Sequence, residues 1–250
     1  MAFGRLSWGP AVLIAALVVT ATVPANAGSA GAASLRGHFA SAATLVSAGA
    51  AATARLSGSN RYLTSIAISQ EAFPASLDGQ GSVYLARGDV LADAVAAGTL
   101  MDGPILLVPA CGVPPAYLVA EVERLDPGRV VALGSDGSVC EGMLSSLSGG
   151  RATARLAGPD RFATARAIAD ERLAQGPAAV AFVASGLDDA PEPVAGGQLS
   201  GGPILTVSPS GGASVTAAAA WVSSHPQVKT VIALRGPLPV LPAAGTRSAV

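Results

Sequence analysis

The chain repeats itself at a spacing of one hundred residues. Residues 53–69 read TARLSGSNRYLTSIAIS, and residues 153–169 read TARLAGPDRFATARAIA. Nine of the 17 paired positions are identical, and the pairs Asn60/Asp160 and Tyr62/Phe162 keep their chemistry. Such a duplication constrains the fold strongly, because an internal repeat usually multiplies one structural unit that packs against its neighbour.

The correspondence continues beyond this motif. Residues 103–108 read GPILLV and residues 202–207 read GPILTV, while residues 130–133 read VVAL and residues 231–234 read VIAL. A catalytic centre needs one unique set of groups. Two similar units therefore favour a repeated binding or architectural surface over an enzyme.

The first 27 residues have the organisation of a secretory signal peptide. Arg5 supplies a short positive region, residues 11–19 are apolar, and residues 25–27 form a small-x-small cleavage site. A membrane anchor is the alternative, but a span needs about 20 apolar residues. We therefore predict a secreted mature chain that starts near Gly28, and we interpret residues 28–52 as an Ala/Gly-rich leader.

Composition limits the classes of partner. Half of the residues are apolar, which is enough for a large core, whereas only 12% are charged and the net charge is -1. A nucleic-acid-binding protein carries a basic face, so this balance argues against such a partner. Two distant histidines and two cysteines show no metal-ligand spacing, so no metal site is predicted. The chain has no phosphate-binding glycine motif either, so we predict no nucleotide cofactor.

Both cysteines, Cys111 and Cys140, lie in the first repeat. Each follows a predicted strand, and the carboxyl ends of parallel strands share one edge of a sheet. Exported proteins form disulfides from such cysteines. We therefore predict a Cys111–Cys140 disulfide.

Short apolar strands alternate with helices in both repeats, which indicates an α/β fold with parallel sheets covered on both faces. We expect tandem Rossmann-like or flavodoxin-like units, packed together, at residues 53–150 and 151–250. Each repeat begins with an extended segment. The predicted strands are 82–87, 104–108, 130–134, 179–184, 203–207 and 228–234. The predicted helices are 60–73, 89–101, 114–125, 138–147, 160–174, 192–200 and 213–224.

The motif that opens each repeat, Arg-Leu-x-Gly-x-Asn/Asp-Arg-Tyr/Phe-x-Thr, resembles the start of the cell wall-binding repeat (type 2) family. Ala86-Arg87-Gly88, Asp93-Ala94, Pro104-Ile105-Leu106-Leu107 and the Val-rich strand at 130–134 also resemble the family pattern. The resemblance covers residues 55–250. It implies non-covalent attachment to the wall of Gram-positive bacteria, through anionic polymers or peptidoglycan, and a ring of three Rossmann-like repeats.

The chain departs from that pattern in two ways. It has two clear repeats rather than three. In the second repeat, the position that corresponds to Asp93 is Pro191, and the segment also contains Pro193. Two prolines delay a helix or keep the segment as a loop, so the second copy of the site is predicted to be altered.

Arg61 and Arg161 follow the predicted helix caps Asn60 and Asp160. An Arg beside free backbone N–H groups suits phosphate or carboxylate, whereas the alternative is an Arg that bonds the chain between repeats. The six predicted ligand-binding residues are Arg61, Arg161, Asn60, Asp160, Arg87 and Asp93.

Three functions remain open at this point. The first is a secreted, wall-associated binding protein without catalysis, which has no membrane partner after signal cleavage. The second is a secreted hydrolase of wall polymer, for which Asp188, Asp189 and Glu192 are the acidic candidates. The third is a structural subunit, either a homo-oligomer or the partner of another repeat protein, that completes a ring of repeats.

Overall fold

A computed structural model describes residues 55–187, 192–197, 199 and 201–234. The predicted signal peptide, the leader, Asp188 and Asp189 lie outside the described residues. Residues from Arg55 onward form one compact unit. None of the helices in this described part is both long enough and apolar enough to cross a bilayer.

The first sheet has four parallel strands in the order β2-β1-β3-β4. This is the start of the flavodoxin-like strand order. The strands are β1 (Ser82–Arg87), β2 (Ile105–Val108), β3 (Arg129–Leu133) and β4 (Ala152–Leu156). The helices that connect them are α1 (Arg61–Ala72), α2 (Ala116–Leu125) and α3 (Glu141–Ser148).

The second sheet has three parallel strands in the order β6-β5-β7 among the described residues. The strands are β5 (Val180–Ser185), β6 (Ile204–Val207) and β7 (Thr230–Ala233). The helices are α4 (Arg161–Ala174), α5 (Glu192–Gly196) and α6 (Ala213–Ser224). The α/β fold class with parallel sheets is therefore confirmed.

Successive side chains of β1 point to opposite faces of the first sheet, and both faces are buried. Val83 and Leu85 pack with Ile66 of α1 and with residues of α2 and α3. Tyr84 and Ala86 pack instead with residues 96–97 and with α4 of the second repeat. The second repeat thus covers one face of the first repeat's sheet.

Two predicted elements differ from the structure. The helix predicted at 89–101 is a series of turns that ends in a 3₁₀ turn, Ala97–Thr99. Ala97 and Gly98 contact the neighbouring repeat, where the backbone of Gly197 lies too close to Gly98 for a Cβ at that position. The helix predicted at 192–200 is shorter, ending at Gly196.

The extended segment at the start of the second repeat is β4, and its hydrogen bonds join it to β3. The strand lies beyond residue 150 in the sequence, yet it completes the sheet of the first repeat. The two repeats therefore share a sheet, rather than only packing face to face.

Candidate functional site

The two repeats start their first helices with the same geometry. Oδ1 of Asn60 accepts from the N–H of Leu63 at 2.9 Å, and Oδ1 of Asp160 accepts from the N–H of Ala163 at 2.7 Å. Both residues are therefore helix N-caps, as predicted. A threonine in the first turn of each helix also accepts a hydrogen bond. Oγ1 of Thr64 lies 3.1 Å from the backbone nitrogen of Gly58, and Oγ1 of Thr164 lies 3.1 Å from that of Gly158.

Arg61 and Arg161 bond to backbone at the end of a strand. Nη1 of Arg61 donates to the carbonyl oxygen of Gly88 at 2.7 Å, and Nη1 of Arg161 donates to that of Gly186 at 3.2 Å. Both carbonyls belong to the same repeat as the arginine that they accept from. These two bonds fix each helix to its own sheet, and neither is the bond between repeats that the alternative predicted.

Arg61→Ala and Arg161→Ala should each lower the free energy of unfolding, because each leaves a strand-end carbonyl without its charged donor. A hydrogen bond to a charged group contributes about 1.5–3 kcal/mol, and both sites are partly exposed, so we expect about 1 kcal/mol. Urea unfolding of the two variants measures this loss. A variant that unfolds at the same urea concentration as the wild type would show that its hydrogen bond adds nothing to stability.

Arg87 and Asp93 hold the loop that follows β3. Arg87 forms a two-point ion pair with Asp89, with Nε to Oδ1 at 2.7 Å and Nη2 to Oδ2 at 2.9 Å. This hydrogen bonding lowers the pKa of Asp89 to about 2. Nη1 of Arg87 donates to the carbonyl of Gly137 at 3.2 Å, and Oδ2 of Asp93 accepts from Oγ of Ser138 at 2.6 Å.

Gly134 makes this loop possible. Its φ is +88°, which strains any residue with a Cβ, and a Cβ there would collide with the carboxylate of Asp93 and the side chain of Ser138. The loop therefore turns sharply at the carboxyl end of β3, where open α/β sheets bind their ligands.

A cleft of about 210 Å³ opens at this edge, between the two repeats. It brings together three of the six predicted site residues: Asp93 from the first repeat, and Asp160 and Arg161 from the second. Asn60, Arg61 and Arg87 do not line it. We call this space the junction cleft; its other lining residues are Val90, Ala92, Ser135, Gly158, Pro159 and Thr164.

A larger cleft of about 390 Å³ lies beside it and shares Val90 and Ala92 with it. Its wall also includes Asp89, Leu91, Gly186 and Leu187, so it too has residues from both repeats. The sequence motifs did not point to Val90 or Ala92. The only sequence signal for Ser135 was its place directly after a buried strand and Gly134.

The predicted Cys111–Cys140 disulfide is present, with the two Cα atoms 5.2 Å apart. It joins the loop after β2 to the N-cap of α3. The N–H of Cys140 also donates to the carbonyl of Ala110 at 2.8 Å. The bond therefore fastens two loops at the same carboxyl edge that carries the junction cleft.

A serine, a histidine and an aspartate lie together at the end of α6. Nδ1 of His225 lies 2.7 Å from the carbonyl oxygen of Trp221, so that nitrogen carries a proton, and Oγ of Ser224 donates to the same carbonyl at 2.8 Å. Nε2 of His225 lies 3.3 Å from Oδ1 of Asp170. Because Nδ1 cannot accept the proton of Ser224, the cluster closes a helix end and forms no nucleophile–base pair. No group of three His, Cys, Asp or Glu residues suited to a metal ion occurs in the described part of the chain.

A family model described as cell wall binding domain 2 matches residues 55–143 and residues 155–240. The chain belongs to this family. Membership gives it a cell wall-binding role and an association with the wall. The two matches coincide with the two sequence repeats that carry the caps, the arginines and the strand-end loops.

Solved structures of similar fold include Cwp6 from Clostridium difficile, with a TM-score of 0.62 and 26% sequence identity over 71% of this chain and 28% of that chain. Cwp8 from Clostridium difficile has a TM-score of 0.59 and 21% identity, over 80% of this chain and 33% of that one, and shows likeness of fold alone. This chain thus spans about a third of the length of either protein. A search of curated proteins found no match.

Proposed function

We propose that the chain is a secreted, non-catalytic protein that attaches to a wall polymer without covalent bonds, and that the junction cleft is its binding site. The observation that carries this proposal is the meeting of Asp93 with Asp160 and Arg161 at the carboxyl edge of the shared sheet. The cleft exists only where one repeat follows another.

The chemistry of the cleft fits a sugar chain with anionic substituents. The carboxylates of Asp93 and Asp160 accept hydrogen bonds, which suits the hydroxyl groups of a glycan. Arg161 and the start of α4 provide a positive potential beside them, which suits a phosphate or carboxylate substituent. The junction cleft contains two carboxylates and one arginine. This balance of charge favours a polymer that is rich in hydroxyl groups over a continuous polyanion.

The second repeat does not repeat the whole site. Counted from the glycine that follows the preceding strand, Pro191 occupies the position of Asp93 there. Asn60 and Arg61 lack a preceding repeat among the described residues, so no second wall of a cleft stands opposite them. One complete cleft per chain therefore follows for the described residues.

Ser135→Trp tests the site by filling the junction cleft. Ser135 is exposed and lines the cleft, so a bulky indole should exclude polymer with little effect on folding. The polymer should then lose one or two charge-assisted contacts, each of which contributes about 1.5–3 kcal/mol. We therefore expect co-sedimentation with purified Gram-positive walls to weaken at least tenfold. The melting temperature should stay at the wild-type value.

Ser145→Trp is the matched control, because Ser145 is exposed on α3 and away from the cleft. It should bind walls as the wild type does. Walls stripped of their anionic secondary polymers reveal how much of the affinity depends on those polymers. Equal binding by both tryptophan variants would reject the cleft as the site. Reducing ends or soluble muropeptides accumulating in the same incubations would reject the non-catalytic function and favour the hydrolase.

A further inference from the structure

The junction between the repeats has a strand component. Val131 of β3 pairs with Ala154 of β4, and Leu133 pairs with Leu156. The N–H of Gly134 donates to the carbonyl of Leu156 at 2.8 Å. The fourth strand of the first sheet is therefore supplied by the opening segment of the next repeat.

The junction also has a helix component. Ile168 of α4 is completely buried and packs in one cluster with Tyr84, Val131 and Leu133 of the first repeat. Polar contacts surround this cluster. Nε2 of Gln175 donates to the hydroxyl of Tyr84 at 2.7 Å, and Glu171 forms an ion pair with Arg129.

The first repeat carries the same docking elements, and among the described residues no second repeat packs on them. We define its head surface as Leu56, Thr64, Ile68 and Glu71, which occupy the motif positions of Leu156, Thr164, Ile168 and Glu171. The side chain of Ile68 is 51% exposed, whereas that of Ile168 is 0% exposed. Leu56 is 42% exposed, although Leu156 packs against the junction cluster.

The second repeat carries the complementary surface. We define its tail surface as the side of β7 that faces away from β5, with Ile232, Ala233 and Leu234. Thr230 and Leu234 donate their N–H groups toward the β5 side, so the alternating N–H of Ala233 points away from β5. Among the described residues no strand pairs with that side. Ala233 is exposed and Leu234 is half-buried, while their counterparts Ala132 and Leu133 are 0% exposed.

We propose that the head surface of one copy of this chain docks on the tail surface of a second copy, and thereby repeats between chains the junction that exists within the chain. Both halves of the contact are present in one sequence, which makes a second copy the occupant. The contact is heterologous, so it closes into a ring or continues as an open series.

The differences between the two repeats are matched across the proposed contact. Gln175, which bonds to Tyr84 and Asp102 within the chain, corresponds to Ala75 on the head side. On the tail side, Tyr84 and Asp102 correspond to Phe182 and Gly201. The polar groups are thus lost from both sides together. Glu71 keeps the acid of Glu171, and Lys229 places a cation beside Thr230, the counterpart of Arg129.

Light scattering after gel filtration tests the proposal on the chain without residues 1–27, over about 1–100 μM, the range of a moderate affinity. We expect the wild type to assemble as concentration rises. Ile68→Asp removes the head and Ala233→Pro blocks the tail, and each variant alone should be monomeric. An equimolar mixture should form a 1:1 complex, because one variant keeps its tail and the other its head.

Val113→Asp is the matched control: Val113 is 92% exposed and belongs to neither surface, so this variant should assemble as the wild type does. Leu234→Asp replaces Ala233→Pro if the proline lowers the melting temperature. Ile68→Asp should weaken the contact by about thirtyfold or more, as expected for a charge in an apolar interface centre. A monomeric wild type at the highest concentration, or a mixture that stays monomeric, would overturn the proposal. The proposal would also fail if the wild type stays monomeric and assembles only after residues 235–250 are removed, because those residues would then cover the tail surface.

Discussion

Replacing Cys111 and Cys140 together with serine should lower the free energy of unfolding by about 3–4 kcal/mol. The disulfide closes a loop with a sequence separation of 29 residues, and opening it restores that entropy to the unfolded chain. The two loops that it fastens lie at the carboxyl edge of the sheet, so they also lose their mutual restraint. Urea unfolding under non-reducing conditions measures the change.

A reductant supplies the control for this prediction. It should destabilise the wild type toward the double variant and leave the double variant unchanged. Titration of the denatured, unreduced wild type should find no free thiol. A double variant as stable as the wild type would show that the loop is restrained by other contacts, of which the hydrogen bond from Cys140 to Ala110 is the first candidate.

Arg124→Met should lower the free energy of unfolding at neutral pH by about 3 kcal/mol, because it leaves a buried carboxylate without its cation. The side chain of Glu121 is 1% exposed, and Arg124 contacts both of its oxygens at 2.8 Å. Ser69 donates to the same carboxylate at 2.7 Å and Gln70 donates to it at 3.1 Å. This network joins α1 to α2, so its loss loosens the outer layer of the first repeat.

The pH dependence of this loss identifies its cause. Burial raises the pKa of the Glu121 carboxyl, but the hydrogen bonds from Arg124, Ser69 and Gln70 together lower it below its ordinary value. In the wild type, this contribution to stability is therefore present above the ordinary pKa of a glutamate and is lost as the pH falls through the lowered value. In the variant, the unpaired carboxylate is relieved by protonation.

The difference in unfolding free energy between wild type and Arg124→Met should therefore shrink between pH 7 and pH 4. Glu121→Leu combined with Arg124→Leu is the matched control. It removes both charges and should cost less than the single variant at pH 7. A loss that is equal at both pH values would attribute the effect to packing of the arginine stem rather than to the buried charge.

Much of the local structure was predictable because it depends on short-range chemistry. Asn60 and Asp160 cap their helices because a side-chain oxygen beside the first turn accepts a free N–H group. The buried strands follow from uninterrupted apolar runs, and the disulfide follows from two cysteines placed after neighbouring parallel strands. The role of Arg61 and Arg161 was less accessible, because the carbonyl that each one bonds lies 25 or more residues away.

The turns at 89–101 show where local preference fails. The segment contains good helix formers, yet Ala96, Ala97 and Gly98 lie against the second repeat, where small residues and a close backbone approach matter more than helix propensity. The junction cleft was not predictable for the same reason. Its walls come from segments about 70 residues apart, and only their packing brings Asp93 to Asp160.

By itself, the sequence determined the family, the number of repeats, the parallel α/β architecture and the disulfide, because each of these depends on the order and spacing of residues along the chain. Only the tertiary structure decided that β4 joins the sheet of the preceding repeat, and that Ile68 and Ile168 have opposite environments. Identical motif positions cannot reveal this difference. Whether the apolar side chain is buried depends on which surface stands opposite it.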